Sequence, residues 1–281
     1  MVDCVRNDNR IIAFDKEKLL AAVKEEYVYK TSSGEPLKAA VYYPQTCAKG
    51  ENGEKNGERG VNSCVICIHG GGWRSDDLNR LLPHAAYFSA CGAVGVSIDY
   101  RLLSDKTDVR DGLKDVVDAV KFIRKTVQKR YGKRLNTVVL GDSAGGYYAT
   151  CLGCANVLHL VDENVDPVDF VVDCNGIVDL TGKWSYGIAD EKLARAYSPL
   201  FNVSVNDAPT LILHGTVDQT VLLEDAVAYE KALREKGVPC ELRVLQGAAH
   251  AFILFDYRHD NAYVASVLSD VVKTLVQKEV I

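Results

Sequence analysis

The chain has no apolar run approaching the ~18 residues a membrane span requires, which argues against an integral membrane protein. Its polar start, Met1 to Arg10, carries no apolar signal-peptide core, so a cytoplasmic protein that engages no membrane is expected. A basic excess is also lacking. Thirty-three Lys and Arg face 38 Asp and Glu, for a net charge of −5, the wrong balance for a nucleic-acid binder. No internal repeat and no linker-like stretch divides the 281 residues, which read as one domain over 1–281. With 47% hydrophobic and 25% charged residues, a sizeable core can form without staples. A disulfide framework is missing as well. Nine cysteines, an odd number scattered through strands and helices, suit buried thiols of a reducing compartment. Cys64 and Cys67 are spaced like a redox or zinc pair, yet they lie in an apolar strand whose positions three apart face opposite sides. Cys151 and Cys154 share a helix face, but no second pair is suitably placed. Neither a metal nor another cofactor is expected.

What is present alternates. After a helical or irregular lead-in, with Leu19, Leu20 and Val23 as packing contacts, residues 28–31 and 37–43 read as antiparallel strands around a Ser-Ser-Gly-Glu-Pro turn. Residues 46–63 are glycine-rich and without periodicity, a surface loop. Strands are then predicted over 64–68, 93–98, 138–140, 170–175, 210–214 and 241–245. Helices are predicted over 82–91, 111–131, 147–158, 222–236 and from about 264 to 276. Over 111–131, Leu113, Val116, Val117, Val120, Ile123 and Val127 recur at three and four residues, leaving a solvated Lys/Arg face. Near-continuous apolar strands alternating with helices imply an α/β fold: a mostly parallel sheet covered on both faces. An irregular excursion over 177–208 is placed where it could partly cover the active site.

The most informative stretch is Gly141-Asp142-Ser143-Ala144-Gly145-Gly146, which follows the apolar run Val138-Val139-Leu140. A serine between glycines at a strand-to-helix junction meets the needs of a nucleophile elbow: flanking side chains would collide, and the hydroxyl is pushed into a cleft. A serine hydroxyl needs a base in hydrogen-bond reach, and in a parallel sheet such groups gather beyond the carboxyl ends of strands. His250, in a small-residue loop after the last strand, and Asp218, just past the strand before it, satisfy that placement. Their chain order, Ser143, Asp218, His250, is that of one hydrolase fold. His84 and His159 fall in helices, His214 suits packing support for the acid loop, and His259 reads as surface at the start of the last helix. Asp190 and Glu191 are alternative acids within the excursion.

Upstream, a strand runs into His69-Gly70-Gly71-Gly72-Trp73. Consecutive glycines leave backbone N–H groups free to face an oxyanion, so Gly71 and Gly72 with Ala144 are the expected oxyanion hole. A phosphate-binding loop would continue into Lys-Ser/Thr, which is absent. Trp73 is the favoured substrate-binding side chain; Tyr147, Trp184, Tyr186, Tyr197 and Phe252 are further aromatics suited to pocket or core.

With both motifs present, the chain resembles the α/β-hydrolase superfamily over roughly residues 37–278, specifically the hormone-sensitive-lipase-like esterases and acetyl esterases. It is further similar to bacterial carbohydrate esterases that release acetyl or feruloyl groups. The resemblance implies a serine esterase with an open pocket, since no long helical cap is apparent, and a structural role for Asp99-Tyr100-Arg101-Leu102 at a strand end near the cleft. A small-molecule ester is the implied partner. The terminal helix and last sheet edge leave monomer and homodimer both open. Kynurenine formamidase carries similar elements, so amide hydrolysis is the rival chemistry. A non-catalytic ligand receptor on the same fold is disfavoured because all three triad residue types are retained.

Overall fold

The protein, a computed structural model, is described at residues 19, 22–32, 34–44, 60–185 and 188–281. Most of the expected loop over 46–63, together with Leu20 and Tyr186, lies outside the described residues.

Strands β1 (Lys24–Ser32), β2 (Glu35–Tyr42), β3 (Ser63–Ile68), β4 (Val94–Ile98), β5 (Asn136–Asp142), β6 (Phe170–Cys174), β7 (Thr210–Gly215) and β8 (Cys240–Leu245) form one sheet in the order β1-β2-β4-β3-β5-β6-β7-β8. The first two pair antiparallel, as the turn between them predicts, and β2 meets β4 antiparallel. All remaining pairings are parallel.

The central strands are buried on both faces because helices cover both. The pleat sends Cys64, Ile66 and Ile68 of β3 towards Leu113, Val116, Val120 and Tyr148. Val65 and Cys67 face the other way, with Phe88, Val264, Leu268 and Val271. Each fully buried aliphatic side chain contributes about 1.5–3 kcal/mol relative to exposure. The helix Val109–Tyr131 has its apolar stripe against the first of these layers; it opens on a capping box of Asp108 and Asp111 and closes on Gly132 at φ 68°. Cys64, Cys67, Cys151, Cys154 and Cys174 are all buried thiols. Among the described residues no helix is long and apolar enough to cross a membrane.

Register brings the strand ends into line. Ile68 pairs with Ile98 and with Gly141, Asp142 with Cys174, and Gly215 with Leu245. Residues that follow these positions therefore share one rim of the sheet.

Three local expectations change. The helix after the elbow begins at Ala144, three residues before the predicted start, and is interrupted at Cys154 (φ −91°, ψ 105°) before resuming over Ala155–His159. The excursion carries the short helices Glu191–Ala196 and Pro199–Asn202. Val23, expected to pack, is 83% exposed, whereas Leu19 does pack against the core.

Candidate active site

Ser143 sits between β5 and the helix Ala144–Gly153 at φ 54°, ψ −114°, a conformation that L residues rarely adopt. The turn is tight enough to exclude side chains around it. A Cβ on Gly141 would stand 2.1 Å from the Gly145 carbonyl oxygen, and one on Gly145 would stand 2.0 Å from that of Ile68. The Ser143 amide donates to the Cys174 carbonyl at 3.0 Å, fixing the turn to the end of β6.

The structure brings the three expected side chains together. Ser143 Oγ lies 2.8 Å from His250 Nε2, and His250 Nδ1 lies 2.7 Å from Asp218 Oδ2. The other carboxylate oxygen, Asp218 Oδ1, accepts the amides of Thr220 at 2.8 Å and Val221 at 3.0 Å. Burial raises the Asp218 carboxyl, but the hydrogen bond and charge of His250 and those two amides outweigh it, so the group falls below its ordinary value and stays ionised. His214, fully buried, donates from Nε2 to the Val221 carbonyl at 3.0 Å, the support for the acid loop its position suggested.

The glycine loop follows β3 at the same rim. Gly71 and Gly72 have φ of 90° and 60°, and a Cβ on Gly71 would stand 2.3 Å from the Ser75 carbonyl oxygen. Among the described residues, the amides of Gly71, Gly72 and Ala144 donate to no protein acceptor. Tyr100 stacks on His69 with ring centroids 4.3 Å apart and donates its hydroxyl to the carbonyls of His69 (2.8 Å) and Gly70 (3.0 Å). Asp99 accepts the Leu78 amide, and Arg101 pairs with buried Asp115 at 2.7 Å, so this segment braces the strand ends as expected.

Trp73 does not open onto the cleft. Its indole is fully buried, edge-on to Tyr147 and Tyr148 at 5.5 and 6.4 Å, and it supports the elbow helix from within the core. Tyr147 and Phe252 are likewise fully buried, while Trp184 and Tyr197 are half-buried. His84 is a buried core residue, with Nε2 2.9 Å from the Ile253 carbonyl; His159 is exposed. Asp190 caps the helix Glu191–Ala196, and Glu191 is exposed, which removes both as competing acids.

Three further residues stand near the site. Asn175, following β6, bridges Asp142 Oδ1 at 3.1 Å and the Ala251 amide at 3.0 Å. His259 Nε2 accepts the Ala249 amide at 3.2 Å, so it braces the loop of His250 rather than facing solvent alone. Asp142 is buried, and burial pushes its carboxyl up to about 6 against the opposing charge of His250 and the bond from Asn175. A polar residue directly after a buried strand was the only available signal for Asn175. Among the described residues, no group of three or more His, Cys, Asp or Glu side chains could hold a metal ion.

A mostly parallel eight-stranded sheet with helices on both faces, bearing a serine turn after β5, an acid after β7 and a histidine after β8, is the α/β-hydrolase fold. Residues 54–233 match the BD-FAE family, and the chain belongs to it. Among solved structures it is similar to the propionate-bound Est2 esterase of Thermogutta terrifontis, at 26% identity and a TM-score of 0.78, over 93% of this chain and 96% of that one. Among curated proteins it is 28% identical to the esterase LipC of Mycobacterium tuberculosis over 68% of this chain and 53% of LipC. It is also 28% identical to the acylamino-acid-releasing enzyme of Arabidopsis thaliana over 70% of this chain and 28% of that protein. The chain thus spans about half of the former and about a quarter of the latter.

Proposed function

We propose that the protein is a serine hydrolase of carboxylic esters that acts on small esters with short acyl groups, acetyl or feruloyl groups on carbohydrate among them. The observation that carries this reading is the unbroken hydrogen-bonded path from Ser143 through His250 to Asp218, at 2.8 and 2.7 Å. Ser143 Oγ attacks the ester carbonyl while His250 Nε2 takes its proton, and Asp218 holds the Nδ1–H tautomer and stabilises the imidazolium. The tetrahedral oxyanion rests on the amides of Gly71, Gly72 and Ala144, which among the described residues have no protein acceptor to give up. One such donor is worth about 2.7–4 kcal/mol where it has been removed. His250 then returns the proton to the departing alcohol, leaving an acyl-serine; water, deprotonated by the same imidazole, releases the acid. The esterase names of LipC and of the Thermogutta protein support ester chemistry, and the propionate held by the latter supports a short acyl group.

Amide hydrolysis is the second reading, favoured by the acylamino-acid-releasing relative. It uses the same residues, with His250 protonating an amine.

The test is hydrolysis of p-nitrophenyl esters from acetate upward, with acetylated xylo-oligosaccharide, methyl ferulate, N-formylkynurenine and small peptides alongside. Fastest turnover on acetate, falling by roughly 10³-fold or more in Ser143→Ala, is the expected result. A wild-type rate on esters no greater than buffer would remove the ester reading; turnover confined to amides would establish the second.

A further inference from the structure

We propose that Asn175 is a positioning residue for this reaction, fastening the turn that carries Ser143 to the loop that carries His250. The inference rests on the hydrolase reading above and adds to it what sets the distance between nucleophile and base. Asn175 is fully buried, directly after β6, with φ 45°. Its own amide donates to the Leu213 carbonyl at 2.9 Å, so its backbone is tied to β7. Its Nδ2 donates to Oδ1 of Asp142, the residue before Ser143, at 3.1 Å. Its Oδ1 accepts the amide of Ala251, the residue after His250, at 3.0 Å. One planar carboxamide therefore spans the immediate neighbours of both reacting side chains.

The residue types suit that task. A carboxylate at Asp142 only accepts, and a backbone amide only donates, so the bridge must do both. Asparagine does so in one short side chain and tolerates a left-handed backbone better than other non-glycine residues. Because the Ala251 amide can only donate, it fixes Oδ1 towards the histidine loop and Nδ2 towards Asp142. Ala251 itself has φ 59°, outside the range an alanine prefers, so its loop needs an external hold. On the other flank, the Ala249 amide is held by His259. The imidazole of His250 thus projects between two anchored amides.

Asn175→Asp separates positioning from mere packing. The aspartate keeps the shape and still accepts from Ala251, but it sets an acceptor against an acceptor at Asp142, so the two carboxyls must share a proton. The charged and titratable groups around Asp142 are His250 and Arg80, which favour its ionised form, Asp76 and Asp173, which oppose it, and the buried phenol of Tyr100 and thiol of Cys174. On p-nitrophenyl acetate, with wild type and Ser143→Ala run in parallel, Asn175→Asp is expected to lower kcat about tenfold or more while KM moves less than about threefold. The loss should grow as pH rises and the shared proton leaves, adding to the rate–pH profile a fall at high pH that the wild type lacks. The double swap Asp142→Asn with Asn175→Asp restores donor against acceptor and should return kcat to within about threefold of wild type, with the wild-type pH profile.

Wild-type kcat and pH profile in Asn175→Asp, a loss confined to KM, or a folded double swap no better than the single variant would each overturn the proposal. If Asn175→Asp fails to fold, the double swap decides alone: near-wild-type kcat supports the bridge, and low kcat in a folded protein overturns it. A wild type inactive on every ester and amide, or an active Ser143→Ala, would instead bring down the hydrolase reading and this inference with it.

Discussion

His214 Nε2 stands 3.5 Å from Asp218 Oδ2, the same oxygen that His250 Nδ1 approaches at 2.7 Å. The two imidazoles do not compete as cations. Burial pushes His214 below its ordinary value against the pull of the Val221 carbonyl and of Asp218, so it stays neutral and spends its Nε2–H on Val221. Val221 in turn gives its amide to Asp218 Oδ1, which closes a small ring around the acid. His214→Ala should therefore loosen the acid loop. A roughly tenfold fall in kcat on p-nitrophenyl acetate is expected, with KM little changed, together with about 2 kcal/mol of lost stability in urea unfolding. Unchanged turnover at reduced stability would confine His214 to packing.

The glycine loop yields a contrast between neighbours. Gly72 has open space where a Cβ would go, whereas Gly71 would bring one to 2.3 Å from the Ser75 carbonyl. Both have positive φ, so Gly72→Ala should cost only the left-handed strain, about 1–2 kcal/mol. Gly71→Ala must also move the loop backbone, and about 3 kcal/mol or more, with loss of most activity, is expected. Equal destabilisation of the two variants in urea would contradict this geometry.

Strain at the elbow predicts a gain in stability on loss of function. The backbone of Ser143, at φ 54° and ψ −114°, suits glycine better than any residue with a Cβ. Relief of about 1–3 kcal/mol of strain, less the added freedom of the unfolded glycine chain, leaves Ser143→Gly about 1 kcal/mol more stable and inactive. Ser143→Ala, which keeps its Cβ, should match the wild type in stability. A melting temperature of Ser143→Gly below that of Ser143→Ala would count against stored strain at this position.

Asp173 on β6 is buried, and burial pushes its carboxyl up to about 7, with the Gly176 amide opposing and Asp142 adding to the rise. In the unfolded chain the group ionises near the ordinary value of about 3.9. Between those two pH values the folded state binds more protons, so this group's contribution to stability falls as pH rises and is at its lowest above about pH 7. His69 and His84, pushed down by burial to about 4, run the other way, gaining stability as pH rises. The comparison must therefore be between a variant and the wild type. Asp173→Asn should gain on the wild type between pH 5 and pH 8 by on the order of 2 kcal/mol. A difference in urea unfolding that stays flat across that range would sink the assignment.

Much of this architecture is legible in the residues because it follows from period and punctuation. Strand β3 is announced by a continuous apolar run, and the long helix by Leu113, Val116, Val120 and Ile123 at helical spacing. Ser143, Asp218 and His250 could be paired from their chain order and their places after strands, which the aligned register turns into proximity. Trp73 misled because adjacency to the glycine loop says nothing of which way the side chain goes, and the Tyr147–Tyr148 pocket took it. The helix break at Cys154 directly follows Gly153, a weak helix former that the continuous apolar pattern over 147–158 masked. Asn175 and His259 act on residues far away in sequence, through approaches that no local period encodes.

The five sulfurs sealed in the core have a consequence for the protein's life in solution. Burial holds the Cys64 thiol up to about 12 and raises Cys67, Cys151, Cys154 and Cys174 as well, so the reactive thiolate is scarce while the sheet stays closed. Alkylating reagents and oxidants reach these atoms only when the layers part. Their slow loss therefore keeps time for the opening of the core, and each oxidised sulfur would bar one molecule from closing again.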